Sequence, residues 1–231
     1  VVVDAASDDE TKAIALKYKD KLPLRFFDAK RRNVSYQRNF GAKQAKGEYL
    51  LFLDADSRIS RAFTKRLKEI IEKEKGLVFL PSLISDEKSP ETEAVFTITN
   101  RIIEASQALG RPLAPGGTLI IAKFFFDKLG GFKENLFIGE DHDILRKVNV
   151  WGVKAKFLKK VKVKFSMRRA KNEGRFKLLY KYMLAVLHII FKGKVENKIF
   201  QYEMGGHLYR ELKRKKDMKD YVTKIKHFFS V

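Results

Sequence analysis

Apolar positions along the chain fall into two rhythms. Short runs with little polar interruption occur at 1–3, 24–27, 49–53, 77–80 and 118–122. Such runs predict strands covered on both faces. Between them lie longer stretches with apolar residues three or four apart. These predict helices over 8–21, 35–46, 60–75, 93–109, 123–129 and 140–150, with one or two further strands over 154–165. Gly47 stands just past the second helix, where glycine commonly ends one. Residues 81–92 carry two prolines, three serines and several charges, so they are expected to be loop.

Strand and helix alternate to about residue 80. That order predicts an α/β fold with a mostly parallel sheet flanked by helices. Ligands of such sheets bind outside the carboxyl ends of the strands. Asp4 closes the first run. The third run, Gly47-Glu-Tyr-Leu-Leu-Phe-Leu-Asp-Ala-Asp56, closes on two acids. In an extended segment, residues i and i+2 point the same way, so Asp54 and Asp56 are expected to converge. Two converging carboxylates repel unless a cation lies between them. A hard divalent ion, Mg²⁺ or Mn²⁺, takes one or two carboxylates and completes its shell with substrate phosphates. The plainer alternative is that one acid caps the helix near Ser60 and the other is solvated.

Composition changes this picture in two places. Hydrophobic residues are 45% of the 231, enough for a core, and there is no cysteine, so thiolate chemistry is excluded and a cytoplasmic setting is expected. Abundant Lys and Glu without Cys also suit a thermophile. The net charge is +21, and fifteen of those charges lie from Lys159 onward, where 21 basic residues face six acidic ones. The longest apolar-rich run, 178–191, is broken by Lys181 and His188 and is shorter than the roughly 20 residues of a membrane span. No secretory leader is read at the start, and the opening strand without a lead-in is expected to begin inside a fold. Residues 174–194 read as an amphipathic helix with a basic side. Residues 208–229 read as a second basic helix. The expected organisation is a catalytic domain over 1–170 and a basic helical C-terminal extension over 171–231. The extension is suited to an anionic membrane surface at the inner face, or to docking on the domain.

Around the acid pair stand further short motifs. Val-Val-Val-Asp4-Ala-Ala-Ser7-Asp8-Asp9-Glu-Thr11 precedes it, and Arg38-Asn39-Phe40-Gly41 lies on the helix before it. Pro115-Gly-Gly117-Thr118, Gly130-Gly131-Phe132 and Phe137-Ile-Gly-Glu140-Asp141-His-Asp143 follow. In this order over residues 1–170, the chain resembles the family-2 glycosyltransferases of the GT-A, Rossmann-like fold. The resemblance implies transfer from a nucleotide-diphosphate sugar, UDP- by default with GDP- possible, to a glycan or polyprenyl-phosphate-type acceptor, with inversion. It implies Asp56 as direct metal ligand and Asp54 at the metal or the ribose. Asp4, Ser7, Arg38, Gly116 and Gly117 would lie at the donor. Asp141 would be the general base, assisted by Glu140. The family opens with one further strand bearing a Pro-x-Tyr-Asn-like segment, so this chain is expected to start at the second strand. Ala5 replaces a second Asp that binds uracil in many relatives. Arg168 and Arg169 stand where some relatives place a metal-binding His, and could grip a diphosphate.

Two other classes compete. A sugar-phosphate nucleotidylyltransferase would need a Gly-rich phosphate loop, and none is visible. A nucleic-acid-binding protein fits the charge but lacks a recognisable reading motif, so no nucleic acid is expected.

Overall fold

The computed structural model describes residues 1–136 and 138–168. Along the chain run β1 (Val2–Asp4), α1 (Thr11–Leu16), β2 (Phe26–Asp28), α2 (Val34–Gln44), β3 (Tyr49–Phe52) and β4 (Arg58–Ile59). Then come α3 (Phe63–Glu74), β5 (Val78–Ser85), α4 (Pro90–Ala108), β6 (Leu119–Ala122), α5 (Lys123–Lys128), α6 (Glu140–Val150) and β7 (Lys156–Phe165). The expected extension over 171–231, with its two basic helices, and Arg169 lie outside the described residues.

The strands make two sheets. β1 and β2 pair in parallel, and the larger sheet has the order β3-β6-β5-β7-β4. Within it only β5 and β7 are parallel; the other three ladders are antiparallel. The α/β layering is as expected, but the sheet is mixed rather than mostly parallel. Unbroken apolar runs report that both faces are covered, and carry no sign of strand direction.

Alternation along the strands divides the core. Leu50, Phe52, Val78, Leu80, Leu119 and Ile121 pack with Ala42 of α2, Ile103 of α4, Phe126 of α5 and Ile144 of α6. Phe79, Ile120, Val161 and Val163 point the other way, onto Phe63 and Leu67 of α3. The larger cluster therefore sits beneath α2 and α6, the two helices whose ends carry the candidate site.

Several boundaries differ from the sequence reading: α1 is confined to Thr11–Leu16 and α3 begins at Phe63, and two further shifts have a local cause. β5 continues through Ser85 into the expected loop. Pro81 is tolerated because it sits at a register shift opposite β7, where its missing N–H breaks no regular ladder. α4 begins at Pro90, three residues early, with Ser89 as its N-cap accepting from Thr92 N at 3.3 Å.

β4 was not foreseen, and its position has a geometric consequence. β3 and β4 are opposite edges of the five-stranded sheet, yet only residues 53–57 connect them. In a flat sheet the edges would be about 19 Å apart, close to the limit of about 20 Å for six fully extended steps. The connection is not extended, since Ser57 N donates to Asp54 O at 3.0 Å. The sheet must therefore curl, bringing its edges together under a short strap. The strap is Leu53-Asp54-Ala55-Asp56-Ser57.

Candidate active site

Register places the first acid. β3 and β6 pair with Phe52 opposite Leu119. One step further puts Leu53 beside Thr118, and the next puts Asp54 beside Gly117. The contact is so close that a Cβ on Gly117 would overlap Asp54 Oδ2, and Gly117 has φ +69°. Gly116 shares that backbone conformation but has open space around it. Glycine is thus required at 117 for both conformation and approach.

Asp54 lies on the face covered by α2 and α6, and both helices reach it. Arg38 of α2 donates from one guanidinium nitrogen to Asp54 Oδ1 and from the other to Glu140 Oε1, each at 2.7 Å. Its side chain is 11% exposed, and the guanidinium sits 5.4 Å from the centre of the Phe132 ring. Arg38, expected at the donor near the nucleotide or its phosphates, here braces two carboxylates that come from different elements.

α6 opens at Gly139, in the left-handed region at φ +86°, and carries Glu140, Asp141 and Asp143 in its first turn. Acids there are favoured by the helix dipole. Asp141 Oδ1 accepts from His142 N and contacts His142 Nδ1, both at 2.9 Å. Burial by itself raises the Asp141 carboxyl, but the charge and hydrogen bond of His142, with help from Arg38, outweigh it and hold the group down at about 2. His142 moves the other way. Its burial disfavours charge, but Asp141 and then Glu140 raise it. Glu140 is raised by burial and by Asp141, against the pull of Arg38. Asp54 is raised by loss of solvent, lowered by Arg38, and raised again by Asp56 and Asp141. The Asp141 carboxylate, held low, thus stands beside a cation-braced pair.

Ala55 and Asp56 form a turn rather than continuing the strand. The segment is therefore not extended as the i, i+2 expectation requires, although Asp56 is close enough for its charge to raise Asp54. Asp56 is exposed, and Asp54 gives Oδ1 to Arg38 while its Oδ2 lies against Gly117. One oxygen from each acid would supply about a third of the octahedral shell of Mg²⁺ or Mn²⁺, with phosphates and water supplying the rest. Among the described residues no three His, Cys, Asp or Glu side chains are grouped as a ready cage. The hydroxyls of Ser57 and Thr118, next to the strap and to Gly117, are buried without a hydrogen-bond partner.

Asp4 and Ser7 bond to each other at the end of β1, with Ser7 N and Oγ donating to the two Asp4 oxygens. They form a closed turn, and among the described residues neither joins the Arg38 cluster. Arg168 lies just past the end of β7, with its N donating to Ser166 Oγ at 3.3 Å.

The residue that the sequence reading left without a role is Asn39. Its Oδ1 accepts from Phe132 N and its Nδ2 donates to Phe132 O, both at 2.8 Å. A Cβ on Gly131 would stand 2.7 Å from the same Oδ1, with φ +70°. Asn39 thus clamps the Gly130-Gly131-Phe132 turn to α2 and holds the Phe132 ring against Arg38. The adjacency of Arg38 and Asn39 was visible; their partners about 100 residues away were not.

A model of the family described as Glycosyl transferase family 2 matches residues 1–130. The minor teichoic acid biosynthesis protein GgaB of Bacillus subtilis is 26% identical over 175 residues, 73% of this chain and 19% of that protein. The poly(ribitol-phosphate) β-N-acetylglucosaminyltransferase TarS of Staphylococcus aureus is 35% identical over 82 residues, 35% of this chain and 14% of that protein. The chain therefore spans less than a fifth of the length of these relatives. Among solved structures, residues 1–349 of S. aureus TarS in complex with UDP-GlcNAc superpose with TM-score 0.57 at 21% identity, covering 80% of this chain and 56% of that one. The mannosyltransferase PcManGT of Pyrobaculum calidifontis with GDP-Man and Mn²⁺ superposes with TM-score 0.58 at 18% identity, covering 81% and 54%. These likenesses show the GT-A fold. No helix among the described residues is long and apolar enough to cross a membrane.

Proposed function

Because the chain belongs to glycosyl transferase family 2, we propose that it moves a glycosyl group, with inversion, from a nucleotide-diphosphate sugar to an acceptor hydroxyl. The observation that carries this reading is the meeting of Asp54, at the end of β3, with Glu140 and Asp141, at the start of α6, across Arg38.

In this reading Asp141 is the general base. Its Oδ1 is held by His142, which leaves Oδ2 for the acceptor hydroxyl. As the acceptor oxygen attacks the anomeric carbon, its proton passes to Asp141. The bond to the diphosphate breaks, and its electron pair leaves on the diphosphate oxygen. Arg38 pulls the carboxyls of Glu140 and Asp54 down against the burial that raises them, and so fixes the strap against α6. Asp56 and Asp54 would hold Mn²⁺ or Mg²⁺, which when bound supplies Lewis-acid stabilisation of the leaving diphosphate. Backbone at Gly116 and Gly117 would approach the donor closely. Asp4 and Ser7 would lie toward the nucleoside, and Arg168 and Arg169 toward the phosphates.

The two superposed enzymes carry different bases, UDP in one and GDP in the other, so the chain's own donor is open to test between them. A glycan hydroxyl or a polyprenyl-phosphate-type acceptor fits the same chemistry. Work at the cytoplasmic face of a membrane would suit the basic composition after Lys159.

The test is a thermal-shift panel of UDP-, GDP- and dTDP-sugars with Mn²⁺, Mg²⁺ or EDTA, run on the wild type and Asp56→Asn. A ligand of the native state raises its stability by mass action. A metal-dependent shift with one nucleotide, lost in the variant, is expected. No shift with any nucleotide sinks the reading.

A further inference from the structure

We propose that Arg58, Lys160, Lys162 and Lys164 form a track for a linear phosphodiester chain, the acceptor, leading to the strap at Asp56. The proposal rests on the transferase reading and extends it to the class of acceptor.

The strand pattern sets the geometry. From residue 160 on, β7 alternates exposed and buried positions, with Lys160, Lys162 and Lys164 exposed and Val161 and Val163 buried. Residues two apart on a strand share a face and stand about 6.7 Å from one another. Lys162 and Lys164 thus stand side by side on one face, and Lys160 precedes them in the short irregular stretch where β7 shifts register against β5. Arg58 of β4 lies directly opposite Lys164. Like charges in that position repel and weaken the pairing, and here they face each other on a two-residue edge strand.

Among the described residues nothing neutralises this row. Elsewhere on the same strand Lys156 bridges to Glu74 at 3.4 Å and Lys159 to Glu104 at 2.8 Å. Among the described residues none of Arg58, Lys160, Lys162 and Lys164 has an ion pair or side-chain hydrogen bond. The nearest acid beyond the end of β5, Asp86, accepts from Met167 N at 2.9 Å. An uncompensated row of cations lowers its self-repulsion by taking an anion with repeated charges at similar spacing.

The location selects the partner. The row ends at Arg58, two residues along the chain from Asp56, so a chain lying on it would lead to the strap. Its single-file shape suits a flexible polymer better than a lipid surface. The one exposed large apolar side chain of β4, Ile59, pairs with Val163 and so faces away from Arg58, which leaves no apolar anchor beside the row for a membrane. Among the described residues no exposed aromatic flanks the row to stack nucleic acid bases. A polyol-phosphate chain, charged and without bases, is the class that fits.

The full chain would be tested for binding to a short poly(glycerol phosphate), with phosphatidylglycerol vesicles and oligothymidylate as comparison arms. The variants are Arg58→Gln with Lys164→Gln, Lys160→Gln with Lys162→Gln, and a control on α3, Lys65→Gln with Lys73→Gln. Each row pair is expected to weaken polymer binding about tenfold at low salt and to lower the steepness of the log K against log salt plot by about one to two. The control pair is expected to change binding less than twofold. The donor-induced thermal shift should be the same in every variant. Equal effects from the row and the control overturn the track, as does wild-type binding by the row variants. A selective loss of vesicle or oligothymidylate binding, with the polymer unaffected, overturns the choice of partner. A row variant that loses the donor shift assigns these residues to the donor instead. If the wild type shows no donor shift at all, the transferase reading fails, while the binding comparison still tells whether the row holds a phosphate chain.

Discussion

Replacing Arg38 by Met keeps a long side chain over Phe132 but removes the charge between Asp54 and Glu140. Glu140 would then be buried, ionised and unpaired, its side chain being 12% exposed. Removing one partner of a buried pair costs about 3–5 kcal/mol. Asp54 is 41% exposed, so water screens its share and the lower end applies. The expected loss is about 3 kcal/mol at pH 8. For a chain of this length each kcal/mol is worth about 2–4 °C, so Tm should fall by about 6–12 °C. The loss should depend on pH with a definite sign. Burial and Asp141 already raise the Glu140 carboxyl with Arg38 in place, and without Arg38 it rises further. An acid whose folded pKa lies above its unfolded value destabilises the fold as pH rises through that folded value. Arg38→Met should therefore be much closer to wild type at pH 5 than at pH 8. Adding Glu140→Gln should restore part of the loss at pH 8. Thermal melts followed by circular dichroism across pH 5–8 measure all three. A loss below about 1 kcal/mol, or one that is the same at both pH values and not relieved by Glu140→Gln, would refute the brace.

Four further outcomes are expected. Asp141→Asn should lower kcat at least about a hundredfold while leaving the nucleotide-induced thermal shift intact; a rate near wild type removes Asp141 as base. Gly117→Ala should abolish metal-dependent donor binding by calorimetry, since the new methyl would occupy the space of Asp54 Oδ2; unchanged affinity would mean that this approach does not matter. Asn39→Leu strands both backbone groups of Phe132 and should cost about 2–3 kcal/mol in urea denaturation. His142→Gln tests the pair with Asp141. The raised imidazole contributes stability that is complete below about pH 6.5 and is lost as pH rises through its folded value. The lowered Asp141 carboxyl contributes stability that is present above about pH 4 and is lost only as pH falls toward its folded value. The stability gap between wild type and His142→Gln should thus be widest near pH 5–6 and shrink toward pH 9; a gap that grows with pH would contradict the pairing.

The parts of the fold that local patterns encode were legible in advance. The apolar run ending at Asp54, the glycines at 116 and 117, and the acids opening α6 were each placed from a few neighbouring residues. What escaped were relations between distant segments. β4 is two residues long and has no pattern of its own; it exists because β7 pairs with it. Pro81 argued for a loop, and only the register shift against β7 makes a strand tolerable there. The use of Arg38 depended on knowing that Glu140 would arrive beside Asp54. A guanidinium read alone suggests an oxyanion ligand, and two carboxylates meeting in the fold answer that description as well as a phosphate does. The acid pair was placed correctly at a strand end, but the extended backbone expected there gives way to a turn at Ala55 and Asp56.

The clamps that build the site have a consequence for how the chain reaches its working form. Arg38 meets Glu140 across 102 residues, and Asn39 meets Phe132 across 93. Contacts at such separation form late, because the closure entropy of the intervening chain must first be overcome. The strap itself cannot bend into place until both edge strands have found their partners. A half-folded molecule would therefore hold Asp54 and Glu140 apart and unbraced. The braced cluster arrives only with completion of the fold, so no partly folded stage of the chain presents it.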